Sequence, residues 1–447
     1  MLFTTDLLVE IFPDFRGSVN DGISIKQVST DSRKSLDHGL FIPLRGEKFD
    51  GHDFLDQAIK QGAVACLWDK GVPLPTFTPN DFPVYYVEDT LVSLQELARV
   101  YRNLVNPTVV GITGSNGKTT TKDIVTAVLE KKYQTHYTLG NLNNHIGVPL
   151  TILSMSPNTE VLVLEMGMNH LGEISVLSNI AKPDFAIITN IGESHIEHLG
   201  SREGIAQAKT EILEGLQENG LFVFDGDEPL LEPYQEKVRS LSVGFERNND
   251  FVIENVELSG AVTTFSLQGI DQFFRLPLLG KHHAKNAAYA IVLATELGVS
   301  NFEIAEALQK LKMTKMRFEL INGKNGVTVI NDAYNASPTS MQASIEVVSQ
   351  MKGYQTKILI LGDMFELGDH AREFHRLVGV SIREVDLVCT IGEHAKEISE
   401  STLVKAKHFQ DKEALILYLS KYVKEKTLIL VKASRGMKLE TVVESLL

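Results

Sequence analysis

The residue string with the clearest chemistry is TVVGITGSNGKTTTKD, residues 108–123. Thr108, Val109, Val110 and Ile112 read as the end of a buried strand. From Thr119 to about Lys131 the chain reads as a helix, with Ile124, Val125, Val128 and Leu129 on one apolar stripe. Between them Thr113, Gly114, Ser115, Asn116, Gly117, Lys118, Thr119 and Thr120 form a glycine-bearing loop. Strand, loop, Lys-Thr and helix in that order build a phosphate cradle. Backbone N–H groups and the positive helix end face the anion, Lys118 reaches the terminal phosphates, and the Thr119 hydroxyl holds Mg²⁺. The strict pattern asks for glycine five residues before Gly117, where this chain has Ile112; its glycines fall at 111, 114 and 117. A glycine turn with an incidental lysine is the competing reading, and the strand before and helix after both weigh against it.

Further candidates lie where predicted strands end. The apolar run Val161 to Leu164 stops at Glu165. A carboxylate there suits Mg²⁺, which takes one or two carboxylates beside phosphate oxygens and water; an idle strand-end acid is the alternative. FAIITNI (185–191) leads into Gly192, Glu193, Ser194 and His195; a lone histidine is usually structural, and spacing alone does not favour a ligand role. Ser201 caps a helix over 201–214 whose apolar face carries Ile205, Ile212 and Leu213. Lys209 falls on that face. Either its stem snorkels, or burial lowers its pKa and the amine takes up CO₂ as a carbamate that helps hold a metal. Asn141, Asn143 and Asn144 supply more amide groups than a plain turn needs. Asn286 bonds a base edge or simply opens a helix, and Arg317 could clamp a nucleotide across a domain junction. Near the N-terminus, Ser29, Thr30, Asp31, Ser32 and Arg33, and the 44–52 loop with Arg45 and Gly46, offer what a nucleotide diphosphate or a uracil edge needs. Taken alone, each stretch reads first as a solvated loop and only second as a binding loop.

Such residues need a scaffold of aligned strand ends, and 447 residues allow roughly three domains of about 150 each. Residues 1–106 read as a small α/β domain, with short strands at 23–25, 39–43 and 63–68 and helices at 53–62 and 91–104. Asn106-Pro107 breaks the last of these helices. Over 107–313, alternating strands and helices predict a mostly parallel sheet covered on both faces, with ligands at the carboxyl ends of its strands. Over 314–447 the pattern restarts as a doubly wound, Rossmann-like sheet with strands at 327–330, 357–361, 387–391 and 428–431. The fold class is therefore α/β in three domains. With 43 Lys and Arg against 57 Asp and Glu, net charge −14, the chain has no basic excess for a nucleic-acid face. Cys66 and Cys389 are too few and too far apart for a disulfide framework. The N-terminus MLFTTDLLVEIF is acidic, unlike a signal peptide, and no apolar run approaches 18 residues, so a cytoplasmic protein without a membrane span is expected.

In combination, TGSNGKTT (113–120), Glu165, NIGESHIEHLG (190–200), AKTEI (208–212), KHHAKNAAYA (281–290), MRFE (316–319) and NDAYNASP (331–338) resemble the Mur ligase family of ATP-dependent amide-bond-forming enzymes. The resemblance spans essentially the whole chain. GNLNNHIGVPL (140–150), NDAYNASP, LGDMFELG (361–368) and the lack of an Asp-Asn-Pro-Arg motif point to the member that adds D-alanyl-D-alanine to a UDP-muramoyl tripeptide. It implies that the three domains take the UDP substrate, ATP with Mg²⁺, and the incoming dipeptide. It implies Thr119, Glu165 and His195 as Mg²⁺ ligands, Lys209 as a carbamylated lysine, and Asn286 and Arg317 against adenine and ribose. Asp332 falls near ribose and phosphate, so Lys118, His195, Lys209 and Asp332 become the catalytic set. Tyr334 and Asn335 lie where dipeptide and nucleotide meet, with Phe365 on the dipeptide side. Residues 29–33, Arg45, Gly46 and the three asparagines fall to the UDP substrate. The resemblance implies small-molecule substrates and a monomer. The rivals are a sibling such as folylpolyglutamate synthetase, which lacks a UDP-binding first domain, and a P-loop switch or motor. The second needs neither a third domain lined with polar loops nor a buried Lys209.

Overall fold

The first hundred residues build a sheet ordered Phe15–Arg16, Val84–Val87, Ala63–Asp69, Gly39–Phe41, Gln27–Ser29, parallel apart from its first pair. The structure is a computed structural model that describes residues 1–312 and 314–447 and, of Asn20, the backbone only. The expected boundary at Met313 lies outside the described residues. The helix Thr90–Val105 starts where the Asp89 carboxylate accepts the N–H groups of Leu91 and Val92. It buries Leu94, Leu97, Ala98 and Tyr101, the apolar stripe expected of it, and stops at Asn106 in the left-handed region. Its buried Arg102 donates to the carbonyls of Ala181 and Lys182 in the next domain, tying the two regions together.

The sheet of that domain contains β1 (Thr108–Thr113), which leads into α1 (Lys118–Leu129), then β2 (Val161–Glu165), β3 (Phe185–Ile188), α2 (Arg202–Thr210) and α3 (Lys281–Glu296). β1 lies between β2 and β3, parallel to both, and all three are buried on both faces. Their carboxyl ends therefore open on one edge, which brings the loops after residues 113, 165 and 188 together. α1 buries Ile124, Val125, Val128 and Leu129 as its periodicity required. The expected alternation of strands and helices fails at 251–276. There Phe251–Ser259, Val262–Leu267 and Phe273–Leu276 run antiparallel with no helix between them. Along Val262–Leu267 and Phe273–Leu276 buried and open residues alternate, the mark of a sheet with one covered face.

The last sheet holds β4 (Thr328–Asn331), α4 (Pro338–Gln350), β5 (Thr356–Gly362), β6 (Leu387–Ile391) and β7 (Thr427–Lys432). Its order is Glu319–Asn322, β4, β7, β5, β6, Ala406–Phe409, parallel except at the first edge. The four apolar runs read from sequence are these four inner strands. Both outer strands are short, polar and half open, which hid them from a pattern built on continuous hydrophobicity.

Candidate active site

The loop between β1 and α1 explains its own glycine spacing. Ile112, where the strict pattern has glycine, is fully buried in the sheet core. Gly114 holds φ +146° with its α-carbon against Thr189 of the loop after β3, so any side chain there would collide. Gly117 holds φ +81°, and a Cβ would come within 2.7 Å of the Asn286 amide oxygen. Asn116 N–H is held by Asn190 Oδ1 (2.9 Å), and Lys118 Nζ donates to the Gly114 carbonyl (2.7 Å). Burial lowers the Lys118 pKa; Glu165 opposes that shift and Arg317 adds to it.

Thr119 opens α1 with its hydroxyl donating to Glu165 Oε2 (2.8 Å), while Asn143 Nδ2 donates to Oε1 (2.8 Å). Arg317 Nη2 reaches back across the domain junction to the same hydroxyl (3.0 Å). One carboxylate and one hydroxyl, both hard oxygen donors, suit Mg²⁺ that completes its shell with phosphate oxygens and water. Among the described residues no group of three His, Cys, Asp or Glu converges as a self-sufficient metal cage. His195 lines the same cleft, at φ +66°, with Nδ1 2.5 Å from Glu366 Oε2 of the last domain. Lys209 is buried on α2. Loss of water, reinforced by the nearby Lys118 charge, pushes its amine well below the ordinary lysine value. It sits behind the cleft wall, not on its surface.

From the last domain, Arg317 stacks on Tyr334 at 4.1 Å from the ring centroid. Asp332, at the end of β4, takes Lys432 Nζ (2.6 Å), Ser344 Oγ (2.7 Å) and the Phe318 N–H (3.1 Å). Ser337 Oγ donates to Asn116 Oδ1 (2.9 Å) and Thr339 Oγ1 to Glu193 (2.5 Å), closing the two sheets over one cleft of about 660 Å³. Ser115 to Thr120, Glu165, His195, Asn286, Arg317, Asp332, Tyr334 and Asn335 all line it. A second cavity of about 230 Å³ shares His195, Tyr334 and Asn335 with the first and adds Phe365, Glu366, Ser434 and Arg435.

Not every expected residue converges here. Thr113 and Gly114 lie under the loop, not on the cleft surface. Asn141, Asn143 and Asn144 line the main cleft, so the structure parts them from residues 29–33. Asn144 also holds its own turn through the N–H groups of Ile146 and Gly147. In the first domain Asp31 accepts both the Nε (2.8 Å) and Nη2 (3.0 Å) of Arg33, which brings the Asp31 carboxyl down to about 2. Ser32 is buried against Gln57, and Arg45 pairs with Asp50 and Asp69 at the sheet's end. These residues line neither cavity. Sequence reasoning missed Lys432, Asn190, Glu366, Ser434 and Arg435. Lys432, Ser434 and Arg435 stood in a polar strand-end loop, which was the available signal; Asn190 and Glu366 had none beyond their motifs.

Comparison with known proteins fits this geometry. Family models match along the chain: "Mur ligase family, catalytic domain" at 24–105, "Mur ligase middle domain" at 112–294 and "Mur ligase, glutamate ligase domain" at 316–435. The UDP-N-acetylmuramoyl-tripeptide--D-alanyl-D-alanine ligase of Bacillus subtilis is 48% identical over 95% of this chain and 93% of its own length. That of Escherichia coli is 37% identical over 95% and 94%. A crystal structure of MurF from Acinetobacter baumannii superposes with TM-score 0.89 at 30% identity, covering 99% of this chain and 98% of that one. MurF from Thermotoga maritima, in complex with ADP, gives 0.83 at 32% identity over 94% and 97%.

Proposed function

The chain belongs to the Mur ligase family, and on that premise we propose that it joins D-alanyl-D-alanine to UDP-N-acetylmuramoyl-tripeptide at the expense of ATP, in peptidoglycan precursor synthesis. One observation carries the reading beyond nucleotide hydrolysis. The phosphate cleft meets a second, smaller cavity at His195, Tyr334 and Asn335, so a group activated in one can be attacked from the other. Residues 1–106 take the UDP part through Ser29 to Arg33, Arg45 and Gly46; 107–313 hold ATP; 314–447 present the dipeptide. Arg435 and Glu366 give the second cavity a cation and an anion, which matches a zwitterionic dipeptide.

In the first step a terminal carboxylate oxygen of the tripeptide attacks the γ-phosphorus, the bond to ADP breaks, and an acyl phosphate forms. Lys118 and Arg317 neutralise the phosphoryl oxygens, and the loop N–H groups fix them in line. Thr119, Glu165 and His195 would hold Mg²⁺, which when bound supplies further charge neutralisation at the phosphates. Lys209, as a carbamate, would replace a buried amine beside Lys118 with an anion and steady that set. The dipeptide amine then attacks the acyl carbon, gives up its proton, and phosphate leaves from the tetrahedral intermediate. Contacts from Ser337, Thr339 and Arg317 across the junction keep water from the acyl phosphate. In this reading the enzyme acts as a monomer in the cytoplasm, the compartment that suits nucleotide-linked substrates. The test is ADP release with each substrate alone and with both. Turnover should need the UDP-tripeptide and D-alanyl-D-alanine together; ADP release independent of both would overturn the reading.

A further inference from the structure

β5 runs into a loop, residues 363–368, that carries Phe365 and Glu366 into the second cavity. Glu366 stands at φ +62° and meets His195 Nδ1 at 2.5 Å. Two side chains take the amides on which the loop hangs. The Phe365 N–H donates to Ser434 Oγ (2.8 Å), and the Met364 N–H donates to His375 Nε2 (3.0 Å). Asp363 is spent elsewhere: its carboxylate accepts the N–H groups of Glu393, His394 and Ala395. His375 lies on the helix Ala371–Ser381, is fully buried, and lines neither cavity. Its Nδ1 is 2.6 Å from the Ala371 carbonyl, one turn back. A carbonyl only accepts and a backbone N–H only donates, so Nδ1 carries the ring hydrogen and Nε2 is left bare toward Met364. Burial holds the imidazole below the ordinary histidine value, against the pull of the Ala371 carbonyl and the Asp363 carboxylate, and so favours that neutral form.

We infer that His375 is a positioning residue for the dipeptide step: by accepting the Met364 N–H it fixes the loop that sets Phe365 and Glu366 against the incoming dipeptide. It never meets the substrate, and its effect passes along the main chain, Glu366 being two residues from the bonded amide. The elements on either side have their own hold on the core, through Leu359 and Leu361 of β5 and Val378 of the helix. A buried amide stripped of its acceptor seeks another partner or water. Loss of Nε2 therefore shifts the loop while strand and helix stay in place.

The inference rests on the dipeptide reading of the second cavity, and the test separates the two. If ADP production by the wild-type enzyme does not depend on D-alanyl-D-alanine, that reading falls. If it does, His375→Phe, which keeps a flat ring but no acceptor, should raise the KM for the dipeptide about tenfold, the order of one lost buried hydrogen bond. The KM for ATP and for the UDP-tripeptide should stay within about twofold. His375→Gln, whose amide oxygen can accept the Met364 N–H, should bring the dipeptide KM back to within about threefold of the wild type. An unchanged dipeptide KM, equal rises for all three substrates, or a loss confined to kcat would each reduce His375 to a packing residue. A Gln variant as impaired as the Phe variant would overturn the hydrogen bond as the cause. Should neither variant fold, the wild-type enzyme answers by itself. With a non-hydrolysable ATP analogue and the UDP-tripeptide bound, adding D-alanyl-D-alanine should slow hydrogen exchange at the Met364 amide about fivefold, since a ligand that needs the loop in place strengthens what holds it there. Unchanged exchange at that amide refutes the proposal.

Discussion

The central cleft and the polar loops of the first domain are built from similar residue types yet differ in how those residues are held. In the cleft, Thr119, Glu165, Asn143 and Arg317 form one network, with the Thr119 and Glu165 side chains buried. At residues 29–33, Arg33 is paired with its neighbour Asp31 while its side chain is 80% exposed. Removing one partner from a buried network strands the others without water, whereas an exposed pair is replaced by solvent at little cost. A substitution in the cleft should therefore disturb both folding and chemistry, and one in the loops should disturb only the binding of whatever docks there.

The largest effect expected of that contrast is at Lys118. Replacing it by Met removes the cation proposed to meet the terminal phosphates and leaves the Gly114 carbonyl without that donor. Turnover should fall about 10³-fold, the order lost when a preorganised charge stabiliser is deleted from a water-poor site. Steady-state ADP production with both substrates measures it. A loss under tenfold would mean that the loop does not hold the reacting phosphates, and the contrast with the first domain would collapse.

Next comes Lys209, whose buried amine gives the cleft a pH signature that the surface loops lack. A lysine with a folded-state pKa below its unfolded value binds fewer protons folded than unfolded. Stability therefore rises with pH through the window between the two values, ending near the unfolded value of about 10.4. In CO₂-free buffer, the Tm of the wild-type protein should climb with pH toward that value more steeply than the Tm of Lys209→Met. Bicarbonate should raise the wild-type Tm at neutral pH by converting the amine to a carbamate, and should leave the variant unmoved. Activity of Lys209→Ala should drop about 10²-fold, as expected of a supporting ligand, and recover in part with a short-chain acid and bicarbonate. Parallel Tm profiles would show that burial does not shift the titration of Lys209 from that of the unfolded chain.

Why part of the fold and site was legible from sequence has the same physical origin. β1, β2 and β3 are covered on both faces, so their residues are continuously apolar and their ends are marked by the first polar side chain. Glu165 and the 114–119 loop could be placed from that alone. α1 and the helix Thr90–Val105 announced themselves by period. The antiparallel run 251–276 did not, because one open face gives short alternating segments that resemble neither template. His195 and Asn286 acquired roles from the motif resemblance, not from spacing, since a single polar residue carries no periodic signal. Lys432, Glu366 and Arg435 reach the site from strand ends far along the chain, β7 lying next to β4 although about a hundred residues separate them. Only tertiary pairing brings Lys432 within 2.6 Å of Asp332.

The smallest effect tests the other side of the contrast. Arg33→Ala should leave the Tm nearly unchanged, because its guanidinium stands in water and exposed ion pairs contribute little to stability. If the loop holds the diphosphate of the UDP substrate, the KM for the UDP-tripeptide should rise about tenfold, as loss of one charge-assisted pair does, while the KM for ATP and for the dipeptide stay put. Asp31 would then serve to hold Arg33 in one orientation before substrate arrives, and Asp31→Asn should give a milder rise in the same KM. A change in the KM for ATP instead would show that the first domain closes onto the nucleotide, and the two regions would have to be treated as one coupled site. An unmoved KM for every substrate would return residues 29–33 to the solvated-loop reading, which their hydrogen bonds to one another already satisfy.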